Sequence, residues 1–290
     1  MLPERNWSLV WALPGHGEKG DACGEIRTFG HDAGGEMHYR RSLRTCGSFD
    51  CPVCSLQPGG WAAREAGAIT ARIRASCAIT HRRAIHVVVS PPVDSDTAST
   101  IAYRRLRAKV YRAATLRGFR GGCVIFHDRR LGSARFNSGR SLGCRKGPHF
   151  HFLGDGWIND GTCVHDKTGS VEFCKHDRRF RTWIVKNLGV RRSVYGTAFY
   201  LLTHAAQGIL PTPEVRPPAV VTWMGTMAYN KLKVEKPESD GVFCMVCKEL
   251  VPLRLWFTLT WVGQGPPPEE ETGVALAKDW VRMRSWGDEM

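Results

Sequence analysis

The spacing of the cysteines constrains this chain more than any other feature. Cys46, Cys51 and Cys54 form C-x4-C-x2-C in the stretch CGSFDCPVC, and Cys244 and Cys247 form C-x2-C in FCMVCKEL. Two thiolates two residues apart can both turn inward onto one tetrahedral ion, and Gly and Pro stand where a tight knuckle needs them. The chain holds 11 Cys, an odd number, and its opening MLPERNWSLVWALPG carries charged and polar residues too early for a secretory leader. Structural Zn²⁺ is therefore expected in place of disulfides. The triplet needs a fourth ligand from outside. Cys23, His31 and His38 lie upstream, and Cys23 is preferred. The Cys244/Cys247 pair reads as half a zinc ribbon, with Cys163, His165, Cys174 and His176 as candidates for the other half. Cys77, Cys123 and Cys144 read as ordinary core or surface thiols.

Charge narrows the partners. With 41 Lys and Arg against 27 Asp and Glu, the formal charge is +14 over 290 residues, which favours a polyanionic partner. At 42% hydrophobic and 23% charged residues the composition is that of a folding chain. No apolar run approaches the ~18–20 residues of a membrane helix, so no membrane partner is expected. The basic residues gather at 104–120, 129–145 and 178–192, and Arg104, Arg105, Arg129, Arg130, Arg145 and Lys146 are the candidate DNA contacts. Taken singly, each cluster is equally readable as a solvated face.

Periodicity predicts an α+β fold with a central antiparallel sheet. Residues 61–78 have helical spacing of Ala and Ile, and residues 84–90 are a β-branched strand stopped by Pro91 and Pro92. A basic helix follows over 96–118, then strands at CVIFH and at PHFHFLG, a short helix near 177–187, a helix over 194–207, and a strand over 219–225. From 84 to 225 the main order is β-α-β-β-α-β, ferredoxin-like in outline, with both helices expected on one face. Zinc-knuckle modules flank it. The division is 1–80 (zinc module and helix), 81–235 (central domain) and 236–290 (zinc-ribbon-like segment and tail, ending in a short helix).

Two segments carry chemistry. His149 and His151 are two apart on a strand and point to the same side, about 7 Å apart along it, with Phe150 and Phe152 on the other. Such a pair can share a divalent ion with a third ligand. His127, Asp128 and His86 are candidates, and His127, on the hairpin partner, is preferred. On the 194–207 helix, Val194, Ala198, Leu201, Leu202 and Ala205 form the apolar face, while Tyr200 and His204 lie side by side, four apart, on the polar one. Tyr195 falls at the apolar margin and is expected to pack. A phenol titrates near ~10, so Tyr200 needs a polarised target and an assisting neighbour such as His204 to act as a nucleophile.

These segments occur in an order that resembles the HUH endonucleases, the initiators of rolling-circle replication. IHVVVSPP (85–92) stands for the first-strand motif, GPHFHFLGDGW (147–157) for the His-hydrophobic-His strand, and YGTAFYLLTHAAQG (195–208) for the tyrosine helix. With the cysteine knuckle, its following Trp-Ala-Arg helix and VTWMGTMAYNKL (221–232), the chain looks most like initiators of archaeal plasmids and viruses, over roughly residues 40–260. One position departs: many members carry Lys three residues after the tyrosine, where Thr203 stands here.

The resemblance implies metal-dependent, site-specific nicking and joining of single-stranded origin DNA in the cytoplasm of the host cell. His149, His151 and a third ligand would hold Mg²⁺ or Mn²⁺, and Tyr200 would form a 5′-phosphotyrosyl link. No G-x-x-x-x-G-K-[ST] loop occurs, so no nucleotide cofactor is expected and a host helicase and polymerase would be partners. Three alternatives compete. They are a single-tyrosine transposase or relaxase, a zinc-ribbon nucleic-acid-binding protein without catalysis, and a metallohydrolase that cleaves without a covalent intermediate.

Overall fold

The computed structural model describes residues 6–92, 95–131, 144–156, 158, 164–165, 172–173, 183–210, 217–234, 241–264 and 266–285. In chain order come β1 (Val10–Ala12), β2 (Ile26–Asp32), β3 (Glu36–Leu43), α1 (Trp61–Thr80), β4 (Ile85–Ser90), α2 (Thr100–Leu116), β5 (Phe119–Leu131) and β6 (Cys144–Gly156). There follow β7 (Val164–His165), β8 (Glu172–Phe173), β9 (Ile184–Val190), α3 (Val194–Leu202), β10 (Gln207–Ile209) and β11 (Val221–Gly225). The last are β12 (Gly241–Phe243), β13 (Leu250–Pro252), β14 (Phe257–Trp261), β15 (Thr272–Leu276) and β16 (Trp280–Ser285). The fold is α+β with antiparallel sheets and, among the described residues, three α-helices.

The chain divides into two compact units. The larger comprises residues 1–18 and 47–234, the smaller 19–46 and 235–290. Grouping by contact thus joins sequence-distant segments, where the division read from sequence followed the chain.

In the larger unit five strands form one antiparallel sheet in the order β11-β5-β6-β4-β9. The run CVIF on β5 is apolar at every position because both faces of the sheet are covered. Val124 and Phe126, with Phe150, Phe152, Val87 and Val89, pack under Tyr103, Leu106, Val110 and Ala113 of α2. Cys123, Ile125 and Leu153 face the opposite way, under Ile69 and Ile73 of α1 and Ala198, Leu201 and Leu202 of α3. The expectation of both helices on one face is therefore corrected. α2 crosses over one side between β4 and β5, whereas α3 follows the edge strand β9 and lies on the other.

Other expectations also change. Residues 184–187 belong to β9, not to a helix, while most of 177–183 lies outside the described residues. The tyrosine helix stops at Leu202, five residues before the expected end. The Ala206 N–H donates to the Phe126 carbonyl oxygen, and Gln207–Ile209 pair with Val10–Ala12, so tertiary hydrogen bonds take over the backbone. The chain's last described segment is the strand β16, where a helix was expected.

α1 carries one arginine that its helical face does not expose. Arg72 is buried, donates from Nε to the Met227 carbonyl oxygen at 2.7 Å and from its guanidinium to those of Ala228 and Leu232, and lies over the rings of Trp223 and Tyr229. It pins the turn after β11 to α1. Arg72→Ala leaves these carbonyls without their donor and is expected to destabilise the unit by about 2–4 kcal/mol. Urea unfolding followed by tryptophan fluorescence measures this. A loss within ~0.5 kcal/mol would assign the residue no such role.

In the smaller unit a second five-stranded sheet runs β15-β3-β2-β14-β16. Its apolar clusters are modest: Phe29, Cys244, Val251 and Trp256 form one, and Met37, Tyr39, Leu259 and Trp280 the other.

Candidate metal centre and tyrosine helix

Adjacent pairing of β5 and β6 sets His127 opposite His149 and Ile125 opposite His151. His127 and the two β6 histidines thus project on the face that carries α3, and the ligand nitrogens of His127, His149 and His151 all lie within 4.8 Å of one another. Each ring is oriented by a second nitrogen. His127 Nε2–H donates to the Leu201 carbonyl oxygen at 2.8 Å, and His149 Nδ1–H donates to that of Gly147 at 2.8 Å. His151 Nδ1 lies 2.8 Å from Nε2 of His86. These contacts turn His127 Nδ1 and Nε2 of His149 and His151 into the ligand positions, the arrangement in which outer partners fix the tautomer. His86 therefore stands behind a ligand and is not one of the cluster. Asp128 is also outside the cluster and accepts from Thr97 Oγ1 at 3.5 Å.

Burial favours the neutral form of His127, the form that ligates, and of His86 behind it. Desolvation, then the charges of His149 and His204, pushes His127 down to about 3. Desolvation and the Arg191 guanidinium push His86 down to about 4. A histidine whose folded pKa is depressed is protonated first in the unfolded chain. Its stabilising contribution is complete above pH ~6.5 and is lost as pH falls toward ~3–4. With no Mg²⁺ or Mn²⁺ added, so that structural zinc stays in place, the unfolding free energy of the larger unit is expected to fall by about 2–4 kcal/mol between pH 7 and pH 5. Urea titrations at the two pH values measure it. A flat profile would mean that the buried rings take up protons without cost.

α3 starts at Ser193, whose Oγ accepts from the Gly196 N–H at 3.0 Å. Its apolar side seats Ala198, Leu201 and Leu202 on the sheet, which turns Tyr200 outward at 64% exposure. The Leu201 carbonyl that receives the His127 N–H belongs to this helix, so one hydrogen bond ties the tyrosine helix to the histidine cluster. His204 lies in the turn beyond the helix, its ring centroid 5.1 Å from that of Tyr200 and 6.3 Å from that of His127. Thr203, at the departing position, caps the helix and places Oγ1 2.8 Å from His204 Nδ1. Tyr195, expected to pack at the apolar margin, stacks on Phe199 and is 44% exposed. It sits in the first turn of the helix.

Two cysteine-containing clusters can hold a metal such as zinc. Of the set preferred from sequence, Cys51 and Cys54 belong to the larger unit and Cys23 and Cys46 to the smaller. Ser55 N–H donates to the Cys51 carbonyl oxygen and Gln57 N–H to that of Cys54, which closes the knuckle. Gly60 follows because a Cβ there would strike the Cys54 carbonyl oxygen. Cys244 and Cys247 join His31 and His38, whereas the partners expected for them lay between 163 and 176. Of those, Cys163, Cys174 and His176 and the side chain of His165 lie outside the described residues. The missed signal was HDAGGEMH: His31 and His38 pair directly across the β2–β3 hairpin, so both rings share a face. Cys244 Sγ is 3.8 Å from His38 Nδ1 and Cys247 Sγ 3.8 Å from His31 Nε2. Tetrahedral Cys₄ and Cys₂His₂ sets are the donor chemistry of structural zinc. Cys123 is a core thiol that burial pushes up to about 12, Cys77 is half-buried, and the side chain of Cys144 lies outside the described residues.

The basic candidates separate. Arg104 and Arg105 are exposed on α2, across the sheet from the histidines. Arg129 and Lys146 pair in register just beyond His127 and both are exposed, while Arg130 and Arg145 continue the same hairpin, their side chains outside the described residues. Arg191 and Arg192, at the start of the tyrosine helix, were read from sequence only as part of a cluster.

No helix among the described residues is long and apolar enough to cross a membrane. Compared with known proteins, the chain matches no family model, no curated protein and no solved structure.

Proposed function

We propose that this chain is a metal-dependent nickase and strand transferase of single-stranded DNA, of the HUH type, acting at the origin of a rolling-circle replicon. One observation carries the reading. An exposed tyrosine, Tyr200, rides on a helix that is hydrogen-bonded through Leu201 to a three-imidazole cluster on the same face of the sheet.

His127, His149 and His151 would hold the ion, and their nitrogen donors suit Mn²⁺ better than Mg²⁺, which prefers oxygen. A bound divalent cation supplies positive charge to the phosphate oxygens under attack. Tyr200 Oη forms a bond to phosphorus as the P–O3′ bond breaks. The phenolic proton passes to a base, for which His204 is the nearest imidazole, and the departing 3′ oxygen takes a proton to become a free hydroxyl. The 5′-phosphotyrosyl link retains the phosphodiester energy, so rejoining needs no nucleotide. Arg129 and Lys146 would hold backbone phosphates of the strand. Host helicase and polymerase would extend the free 3′ end.

Incubation with labelled single-stranded origin DNA and Mn²⁺, resolved on a denaturing gel, tests the reading. A covalent protein–DNA band that EDTA abolishes is expected. Cleavage without that band would leave a metallohydrolase instead, and binding without cleavage a zinc-dependent DNA-binding protein.

A further inference from the structure

Beside Tyr200 the larger unit holds an open cavity of about 680 Å³, comparable in volume to small-ligand sites. Its lining is apolar at Leu188 and Val190 of β9 and basic at Arg191 and Arg192. Gly196 and Thr197 bring the first turns of α3 to the wall, so the positive end of that nine-residue helix faces the space. No carboxylate lines it among the described residues.

Two lining residues carry polar atoms without partners. His86 is only 5% exposed, and with Nε2 turned to His151 its other nitrogen, Nδ1, has no hydrogen-bond partner among the described residues. Arg191 Nε is buried and equally unpartnered, although its NH2 donates to the Leu188 carbonyl oxygen at 3.0 Å. A buried polar atom without a partner costs on the order of 1–3 kcal/mol, so a small shift of either side chain toward an acceptor in the cavity would be favourable. Apolar and basic side chains on one lining fit a flat ring joined to an anion.

We propose that this cavity binds a nucleotide of the substrate strand, with its phosphate on Arg191, Arg192 and the N-terminus of α3 and its base over Leu188 and Val190. The phosphodiester adjoining that nucleotide then lies beside Tyr200, which also lines the cavity. The site would select the register in which the strand is presented to the tyrosine. Naming a DNA strand as the source of the nucleotide rests on the nickase reading; the cavity's preference for a nucleotide does not.

Deoxythymidine 5′-monophosphate titrated into the zinc-loaded full-length chain with no Mg²⁺ or Mn²⁺ added, followed by calorimetry, tests it apart from cleavage. Saturable binding is expected, with deoxythymidine and inorganic phosphate each weaker by about tenfold or more, because each retains half of the contacts. Arg192→Ala, at an exposed position that leaves the fold intact, should weaken binding by about tenfold, and Thr197→Trp should block the cavity from the exposed side of α3. Absence of saturable binding, or binding unchanged in both variants, overturns the proposal. A Mn²⁺-dependent adduct without nucleotide binding removes the cavity and keeps the nickase. Nucleotide binding without any adduct keeps the cavity and removes the nickase.

Discussion

Tyr200→Phe is expected to abolish the covalent protein–DNA product while leaving the fold and DNA binding intact. The substitution removes one oxygen from a side chain that is 64% exposed and makes no core contact, so stability should change by no more than ~0.5 kcal/mol. Phenylalanine has no nucleophile, and loss of a covalent route costs at least ~10³-fold in rate. Tyr195→Phe is the matched control. It lies five residues earlier on the same helix, stacked on Phe199, and should retain the product. Persistence of the adduct in Tyr200→Phe, or its loss in Tyr195→Phe, would reassign the nucleophile. His204→Ala should slow the reaction by about 10²-fold without removing the product, the usual worth of a proton-transfer neighbour.

The second large effect is expected on metal removal from the smaller unit. Its apolar clusters are modest, whereas His31, His38, Cys244 and Cys247 join the β2–β3 hairpin to the segment after β12. Structural zinc in such a set stabilises folding by an apparent ~10 kcal/mol or more, which exceeds what those clusters can supply. A strong chelator should therefore unfold this unit, seen as loss of hydrogen-exchange protection over β2, β3 and β14 and of the near-UV signal of the buried Trp256. Metal analysis should return two zinc ions per chain, one per cysteine cluster. Cys244→Ser should leave one and reproduce the chelator's effect on this unit alone. Full protection of β2 and β3 after chelation would show that hydrogen bonds and packing hold the sheet without metal.

Much of the candidate site was legible because strand and helix periods place side chains without knowledge of the fold. Period two put His149 and His151 on one side, and period 3.6 turned Tyr200 away from Ala198, Leu201 and Leu202. The hairpin neighbour of the strand supplied His127. Short cysteine spacing marked both thiolate pairs, since two residues is the distance a knuckle spans. What stayed hidden depends on contacts between distant segments. His31 and His38 lie more than 200 residues from Cys244, and no local period links them. β9 lacks strong alternation and becomes a strand by pairing with β4, and α3 ends where Phe126 and β1 claim the backbone beyond it.

By itself, the sequence determined the α+β class, the central strands, the strand side that His149 and His151 share and the helix side that bears Tyr200, and it preferred His127 and Cys23 among several candidates for the remaining ligands. These follow from local geometry and from the few residue types that ligate metal. Only the tertiary structure decided which face each helix covers, which histidines complete the second cysteine pair, and how Arg191, His86 and the start of α3 enclose a cavity beside Tyr200. Those features depend on strand order and on where burial is complete, and both are properties of the assembled sheet.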